Sequence, residues 1–385
     1  MSDDLIVFSK PYRTARELPN LEKVLSSGHV HGDGPFTKEA SAHVSALVGG
    51  GITLLTTSCT HALDMASILS EIGPGDEVIL PSFTFSSGAT AIALRGARIV
   101  FADIDPLTGN TTAEIIEPLI TERTKAISVV HYGGVGADIA RIAELAASRG
   151  LLLIEDNAHG LGGSVDGRAL GSFGDFATQS FHDTKNIQCG EGGALVVNSP
   201  QFAERAEIIR EKGTNRARFL RGQVDKYTWV DVGSSYLPSE LNAAVLASQL
   251  AEFAAIQARR FRVWDAYDAN LREWAPSRGV SLMHIPVNSE HTAHMFYMLM
   301  PDHEEQGALL SHLRERDVVG TFHYGALDSN PAGLNHGHAP TPCVAARNFS
   351  ERIVRLPLWA GMEDAQISRV IDAVTSYAGN DRISM

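Results

Sequence analysis

Short apolar runs alternate with stretches of helical spacing from about residue 52 onward. Ile52-Thr53-Leu54-Leu55, Val78-Ile79-Leu80, Arg98 to Ala102, Lys125 to His131 and Leu151 to Ile154 read as strands. Met65 to Leu69, Ser86 to Arg95 and the alanine-rich Ile139 to Ser148 read as helices between them. This alternation predicts an α/β fold with a mainly parallel sheet and helices on both faces. Ligands of such sheets bind beyond the carboxyl ends of the strands. The Thr57-Ser58-Cys59-Thr60 turn, Phe85 and Asp156 fall at such ends.

The pattern changes towards the carboxyl terminus. Leu241 to Arg262 reads as one long helix leading out of the large domain. Ala293 to Met300 and Val318 to Phe322 then read as strands, with Gln306 to Arg316 and Ala365 to Tyr377 as helices. These predict a small α+β domain over 261–385, after a large domain over 1–260. Asp328 to Pro342 is rich in Gly, Asn, Pro and His and reads as a loop. Its His336 and His338 are a solvated loop pair on this reading, and no metal site is expected.

Composition narrows the function classes. The 385 residues are 44% hydrophobic and 20% charged, an ordinary globular balance. A net charge of -13 argues against non-specific nucleic-acid binding, which needs a positive field. Cys59, Cys189 and Cys343 form neither a complete disulfide set nor a zinc motif. The amino terminus, Met1-Ser2-Asp3-Asp4, is acidic without an apolar signal core, and no apolar run reaches the ~20 residues of a membrane span. A cytoplasmic protein is expected.

The candidate chemistry centres on Lys185. It lies in Ser180-Phe181-His182-Asp183-Thr184-Lys185-Asn186, between a sheet-like stretch (Asp175 to Phe181) and Gly190-Glu191-Gly192-Gly193. Upstream, the apolar run Leu151 to Ile154 ends in Glu155-Asp156. An acid at a buried strand end and a lysine on a loop are the pair that pyridoxal phosphate chemistry needs. The lysine holds the cofactor, and the acid keeps the pyridine nitrogen protonated. A solvated lysine and a helix-capping acid account for the same residues taken singly. Ser58-Cys59-Thr60-His61-Ala62 opens a helix whose free N–H groups make an anion site, though an ordinary N-cap explains it equally. Phe85 either stacks on a planar ring or belongs to the core, and His159 either reaches the ring hydroxyl or is structural.

A dinucleotide fold is the rival. The strand ending at His131-Tyr132 is followed by Gly133-Gly134-Val135-Gly136, and Glu155-Asp156 lies ~20 residues on. The third glycine of that fingerprint is replaced by Ile139, whose bulk would push the helix off the strand. Residues 205–226 form a basic stretch of net +4 in this acidic chain. It reads either as a solvated helix face and loop or as a clamp for a pyrophosphate, with Arg221 and Lys226 as grips.

These motifs together resemble the DegT-type sugar-nucleotide aminotransferases over nearly the whole chain. The resemblance rests on Gly32-Asp33-Gly34, Pro81-Ser82-Phe83-Thr84-Phe85, Glu155-Asp156, Ser180-Phe181-His182-x-x-Lys185 and Gly190-Glu191-Gly192-Gly193. Residues 210–216 and 221–227 are similar to the subgroup that forms dTDP-4-amino-4,6-dideoxygalactose. The resemblance implies an aspartate-aminotransferase-like fold (fold type I of pyridoxal phosphate enzymes). It implies pyridoxal 5'-phosphate as cofactor, with pyridoxamine phosphate between half-reactions, and L-glutamate and a dTDP-4-keto-6-deoxy sugar as substrates. Lys185 and Asp156 would be catalytic, and Phe85 would stack on the ring. Thr60, His61 and Ser180, beside Cys59, would hold the phosphate. His159 stands where the family usually has Gln, and Ser235 where an Asn reaches the partner's phosphate. His323-Tyr324 matches a substrate-binding motif, with Asp328 in place of its usual following histidine. Homodimers or larger assemblies with shared active sites are implied. An NAD-dependent sugar-nucleotide oxidoreductase and a non-catalytic regulator binding pyridoxal phosphate or a sugar nucleotide are the alternatives.

Overall fold

The strands are assembled as the apolar runs require. In a computed structural model that describes residues 4–379, eight strands form the main sheet. They are β1 (Ile52–Thr56), β2 (Glu77–Pro81), β3 (Arg98–Ala102), β4 (Thr124–Val130), β5 (Leu152–Asp156), β6 (Phe176–Ser180), β7 (Gly193–Val197) and β8 (Gly337–His338). Their order is β1-β7-β6-β5-β4-β2-β3-β8. Only β7 runs against its neighbours, antiparallel to both β1 and β6; the other pairings are parallel. The fold is α/β of the aminotransferase type, as expected. Residues 1–3 and 380–385, with most of the acidic amino-terminal stretch, lie outside the described residues.

Both sheet faces are buried. On one face Ile154, Phe176 and Leu195 pack against Ala62, Leu63, Met65 and Ala66 of the helix Cys59–Leu69. On the other, the neighbouring Leu153 packs with Ile127 and Val129 against the helix Ile139–Arg149. The period-two alternation of a strand thus reads directly onto two layers. Each such Leu or Ile is worth about 1.5–3 kcal/mol when fully buried. Among the described residues no helix is long and apolar enough to cross a membrane.

Three expected elements differ. The helix expected over 241–262 is two, Glu240–Ala251 and Phe253–Leu271, broken at Glu252 (φ -109, ψ 16). The first half buries Leu246 and Leu250 with the helix Pro35–Leu47; the second buries Val263, Trp264 and Tyr267 in a separate C-terminal core. Ile256, just after the break, still packs in the first core. Residues 318–322 make only single bridges, because the segment changes partner from Ile6 at Val318 to Arg355 at Thr321. The expected loop 328–342 contains the helix Pro331–His336 and then β8, which extends the main sheet beside β3. Asp328 anchors its start, accepting from Ser82 Oγ at 2.7 Å and pairing with Arg347.

Glu155 pins the carboxyl end of β5. Its fully buried carboxylate accepts from the N–H groups of Gly171 (2.9 Å), Phe173 (2.7 Å) and Gly174 (2.7 Å). It also takes His131 Nε2 at 2.9 Å, while His131 Nδ1 accepts from Ala137 N at 3.2 Å. The carboxylate is therefore engaged on every side and cannot take a ribose hydroxyl. Gly133 and Gly134 have positive φ and turn the chain well before its helix starts at Ile139. The dinucleotide reading loses Glu155 and its glycine–helix junction. Glu155→Gln would aim an amide donor at backbone donors. A loss of about 3 kcal/mol is expected, read as a lower urea midpoint; an unchanged midpoint contradicts this anchoring role.

Candidate active site

At the carboxyl ends of β4, β5 and β6 the fold leaves a cavity of about 740 Å3, and both Lys185 and Asp156 line it. The amine of Lys185 forms no ion pair among the described residues. Burial pushes its pKa from 10.5 to about 8, against the pull of Asp156 and with help from the Arg355 charge. At neutral pH about a tenth of such amines are uncharged, against well under a thousandth for an ordinary lysine. An uncharged amine is the form that attacks a carbonyl.

Asp156 ends β5 and is buried. Burial raises its carboxyl above the usual range, opposed by the Ala158 N–H, at 3.1 Å from Oδ1, and by Lys185. Bringing a cationic partner to this carboxylate reverses that penalty. The Cys59 thiol lies 3.9 Å from Asp156 Oδ1 and 3.5 Å from Thr178 Oγ1. Burial and the Asp156 charge push the thiol far up, so Cys59 is a neutral wall and not a nucleophile.

The helix Cys59–Leu69 starts at the cavity. Ser58 caps it, accepting from His61 N at 3.1 Å, and Thr60 Oγ1 meets Ser87 Oγ at 2.8 Å. Ser180, at the end of β6, lines the same cavity. His61 is turned away, bonded to Thr57 Oγ1 and edge-on to Tyr236 at 5.2 Å. Gly193 explains how the helix start reaches the sheet: a Cβ there would stand 2.3 Å from the Ser58 carbonyl carbon. That glycine admits backbone rather than ligand. Phe85 keeps 55% of its surface exposed within the cavity, leaving a ring face free for stacking.

Three histidines gather beside this face. His159 stacks on His294 at 4.1 Å and 16°, and His323 follows at 6.2 Å. Burial drives all three well below the usual imidazole range, with the Lys185 charge adding to it. His159 Nδ1 accepts from Gly133 N at 3.3 Å, which leaves the proton of the neutral ring on Nε2. His323 Nδ1 is 2.8 Å from the Tyr132 hydroxyl and its ring stacks on Tyr324 at 3.6 Å. His294 Nδ1 meets Asn186 Oδ1 at 2.9 Å, and the Asn186 amide is held by Gln257 and the Thr292 carbonyl.

Ser235, Arg221 and Lys226 are not brought to this cavity; all three are exposed on the chain's surface. The basic stretch that contains Arg221 and Lys226 is largely neutralised by the fold. Arg205 pairs with Asp231 and Glu71, Arg210 with Asp33, Arg216 with Glu211 and Arg218 with Glu204. Arg221 makes two bonds to Glu207, at 2.8 and 3.0 Å. Sequence reasoning missed His294, Tyr132 and Arg355. Only Arg355 leaves a signal, a lone charge in the apolar run Ile353-Val354-Arg355-Leu356.

The model of the DegT/DnrJ/EryC1/StrS aminotransferase family matches residues 11–375. The chain belongs to that family. Among solved structures, the aminotransferase TlmJ from Streptoalloteichus hindustanus is 32% identical, with a TM-score of 0.89 over 96% of this chain and 98% of its own. The putative sugar aminotransferase Spr1654 from Streptococcus pneumoniae, in its PMP form, is 26% identical with a TM-score of 0.88, over 96% and 98%. A 3-amino-5-hydroxybenzoic acid synthase is 26% identical with a TM-score of 0.85, over 96% and 98%.

Pyridoxal phosphate is the cofactor of this aminotransferase, and the cavity fits it. The unpaired amine of Lys185 suits its aldehyde, and Asp156 suits its pyridine nitrogen. The free face of Phe85 suits its ring, and the helix start with Thr60, Ser87 and Ser180 suits its phosphate. His159 Nε2 is the donor available to its ring oxygen. Because the uncharged amine reacts, uptake of pyridoxal phosphate by cofactor-free protein should speed up with pH and level off above about 8. Stopped-flow absorbance checks this; a rate still climbing through pH 10 would assign Lys185 an ordinary pKa.

Proposed function

We propose that this aminotransferase moves the amino group of L-glutamate to C4 of a dTDP-4-keto-6-deoxy sugar, giving a 4-amino-4,6-dideoxy hexose of galactose type. The observation that carries the reaction class is the unpaired, half-buried Lys185 amine in one cavity with the Asp156 carboxylate, in a chain of this family. Support for a sugar acceptor comes from Spr1654 and from the likeness of residues 210–227 to the dideoxygalactose subgroup.

When bound, pyridoxal phosphate supplies an electron sink for the bonds to the donor's α-carbon. The residues of the chain do the rest. Asp156 holds a proton on the pyridine nitrogen by its negative charge. Lys185 Nζ removes a proton from the α-carbon of glutamate and later returns one to C4 of the sugar. The neutral His159 offers Nε2–H as a fixed donor.

Ser235, Arg221 and Lys226 are exposed and lie away from the chain's own cavity, so on the shared-site reading they would serve the cavity of a second subunit. On this reading Arg221, whose ion pair with Glu207 lies at the surface, exchanges that partner for the nucleotide's diphosphate.

The synthase among the structural relatives shows that family membership alone leaves the acceptor open. The test is therefore a panel of dTDP- and UDP-linked 4-keto sugars incubated with the holoenzyme and glutamate, with product stereochemistry read by NMR. Turnover of dTDP-4-keto-6-deoxyglucose to the galacto amine is expected. Turnover of an aromatic or cyclitol ketone with rejection of every nucleotide sugar would overturn the proposal.

A further inference from the structure

A buried arginine without an acid stands behind the histidine stack. Arg260 belongs to the helix Phe253–Leu271 and exposes 4% of its surface. Burial pulls its pKa down to about 9, which leaves it charged at neutral pH. No carboxylate among the described residues pairs with it. Its donors go to the main chain instead. Nε donates to the Ala293 carbonyl at 3.1 Å and Nη2 to the His294 carbonyl at 2.6 Å. A buried cation with no counter-ion is an unfavourable way to fasten two carbonyls.

The segment it grips is strained and is attached to His159. Ala293 is fully buried and left-handed, with φ at 46. A non-glycine residue keeps that conformation only where its surroundings impose it. Here they hold every carbonyl of the segment. Asn186 Nδ2 and Gln257 Nε2 donate to the Thr292 carbonyl at 2.8 and 3.1 Å, and Arg260 takes the next two. Gln257 and Arg260 are three apart on one helix, so one face supplies both grips. The two neighbours of Ala293 then hold His159. Thr292 Oγ1 donates to the His159 carbonyl at 2.7 Å, and the His294 ring lies on the His159 ring at 4.1 Å. Asn186 fixes the His294 ring in turn. Its amide nitrogen is engaged by Gln257 and Thr292, so its Oδ1 accepts from His294 Nδ1 at 2.9 Å.

We infer that Arg260 is a positioning residue for the cofactor: through the left-handed Ala293 it keeps His294 stacked on His159 and so aims His159 Nε2–H at the cofactor's ring oxygen. The inference rests on His159 as the donor to that oxygen. Arg260 does not line the cavity, whereas His294 and His159 do, so its effect passes through the two rings. The Gly133 N–H, at 3.3 Å from Nδ1, holds one edge of the His159 ring, and the stacked His294 holds its face.

The readout is the pH midpoint of the holoenzyme's visible absorbance, titrated without substrate. A donor at the ring oxygen draws charge from it and weakens its hold on the neighbouring proton, so losing the donor moves the midpoint up. His159→Phe, which keeps a ring and removes the donor, should raise the midpoint by about one unit or more. Arg260→Met, which keeps the stem and loses both carbonyl contacts, should raise it by about half a unit. His294→Ala, which removes the stacked ring, should match Arg260→Met, and Arg260→Lys, which still reaches one carbonyl, should fall between that variant and wild type. Lys185, His323 and Arg355 also face the two rings and are unchanged in every variant. Ile142→Ala opens the distant core under the helix Ile139–Arg149; it should lower the melting temperature and leave the midpoint alone. If Arg260→Met does not retain cofactor, Arg260→Lys and His294→Ala make the same comparison. A shift with His159→Phe and none with the Arg260 and His294 variants, or an equal shift with Ile142→Ala, would overturn the inference. No shift with His159→Phe would instead remove the donor reading, and the inference with it.

Discussion

A half-buried amine and a buried carboxylate in one cavity, without an ion pair to join them, are the constraint on which the site depends. Burial lowers the pKa of Lys185 and raises that of Asp156, so each is held away from its charged form in water. Such an arrangement is unfavourable for a fold considered by itself. It becomes favourable once a ligand brings an aldehyde to the amine and a cationic nitrogen to the acid. The sheet accommodates the pair because Asp156 stands at a carboxyl end and Lys185 on the loop beyond one, where strand pairing is already complete.

The neighbouring acids of β5 show how finely position divides roles. Glu155 and Asp156 are adjacent, so strand alternation sends them to opposite faces. Glu155 is consumed by three backbone N–H groups and His131. Asp156 takes one backbone N–H and otherwise faces the cavity. A single-residue register slip in β5 would exchange the two and destroy both the anchor and the site.

Lys185, Asp156 and Phe85 are legible in the sequence because each stands beside a local signal: a glycine cluster, the end of an apolar run, a Pro-Ser turn. The alternating core of the main sheet is legible for the same reason. What local pattern hides is partnership across the chain. The helical spacing runs unbroken through Glu252, where the backbone itself leaves helical geometry. The +4 stretch looks free until folding delivers Asp33, Glu71, Glu204 and Asp231 to it. Arg355 and His294 enter the site on strands and turns of the C-terminal part, far in sequence from Lys185. Their roles depend on what they lack or meet there, such as the idle Nε of Arg355 and the ring of His159.

The central claim is that Lys185 holds the cofactor. Reducing the holoenzyme with sodium borohydride and mapping its peptides by mass spectrometry tests it directly. The account predicts one phosphopyridoxyl group per chain, on the peptide containing Lys185 and on no other. The same label on a different lysine, or a cofactor that dissociates unreduced, would contradict it.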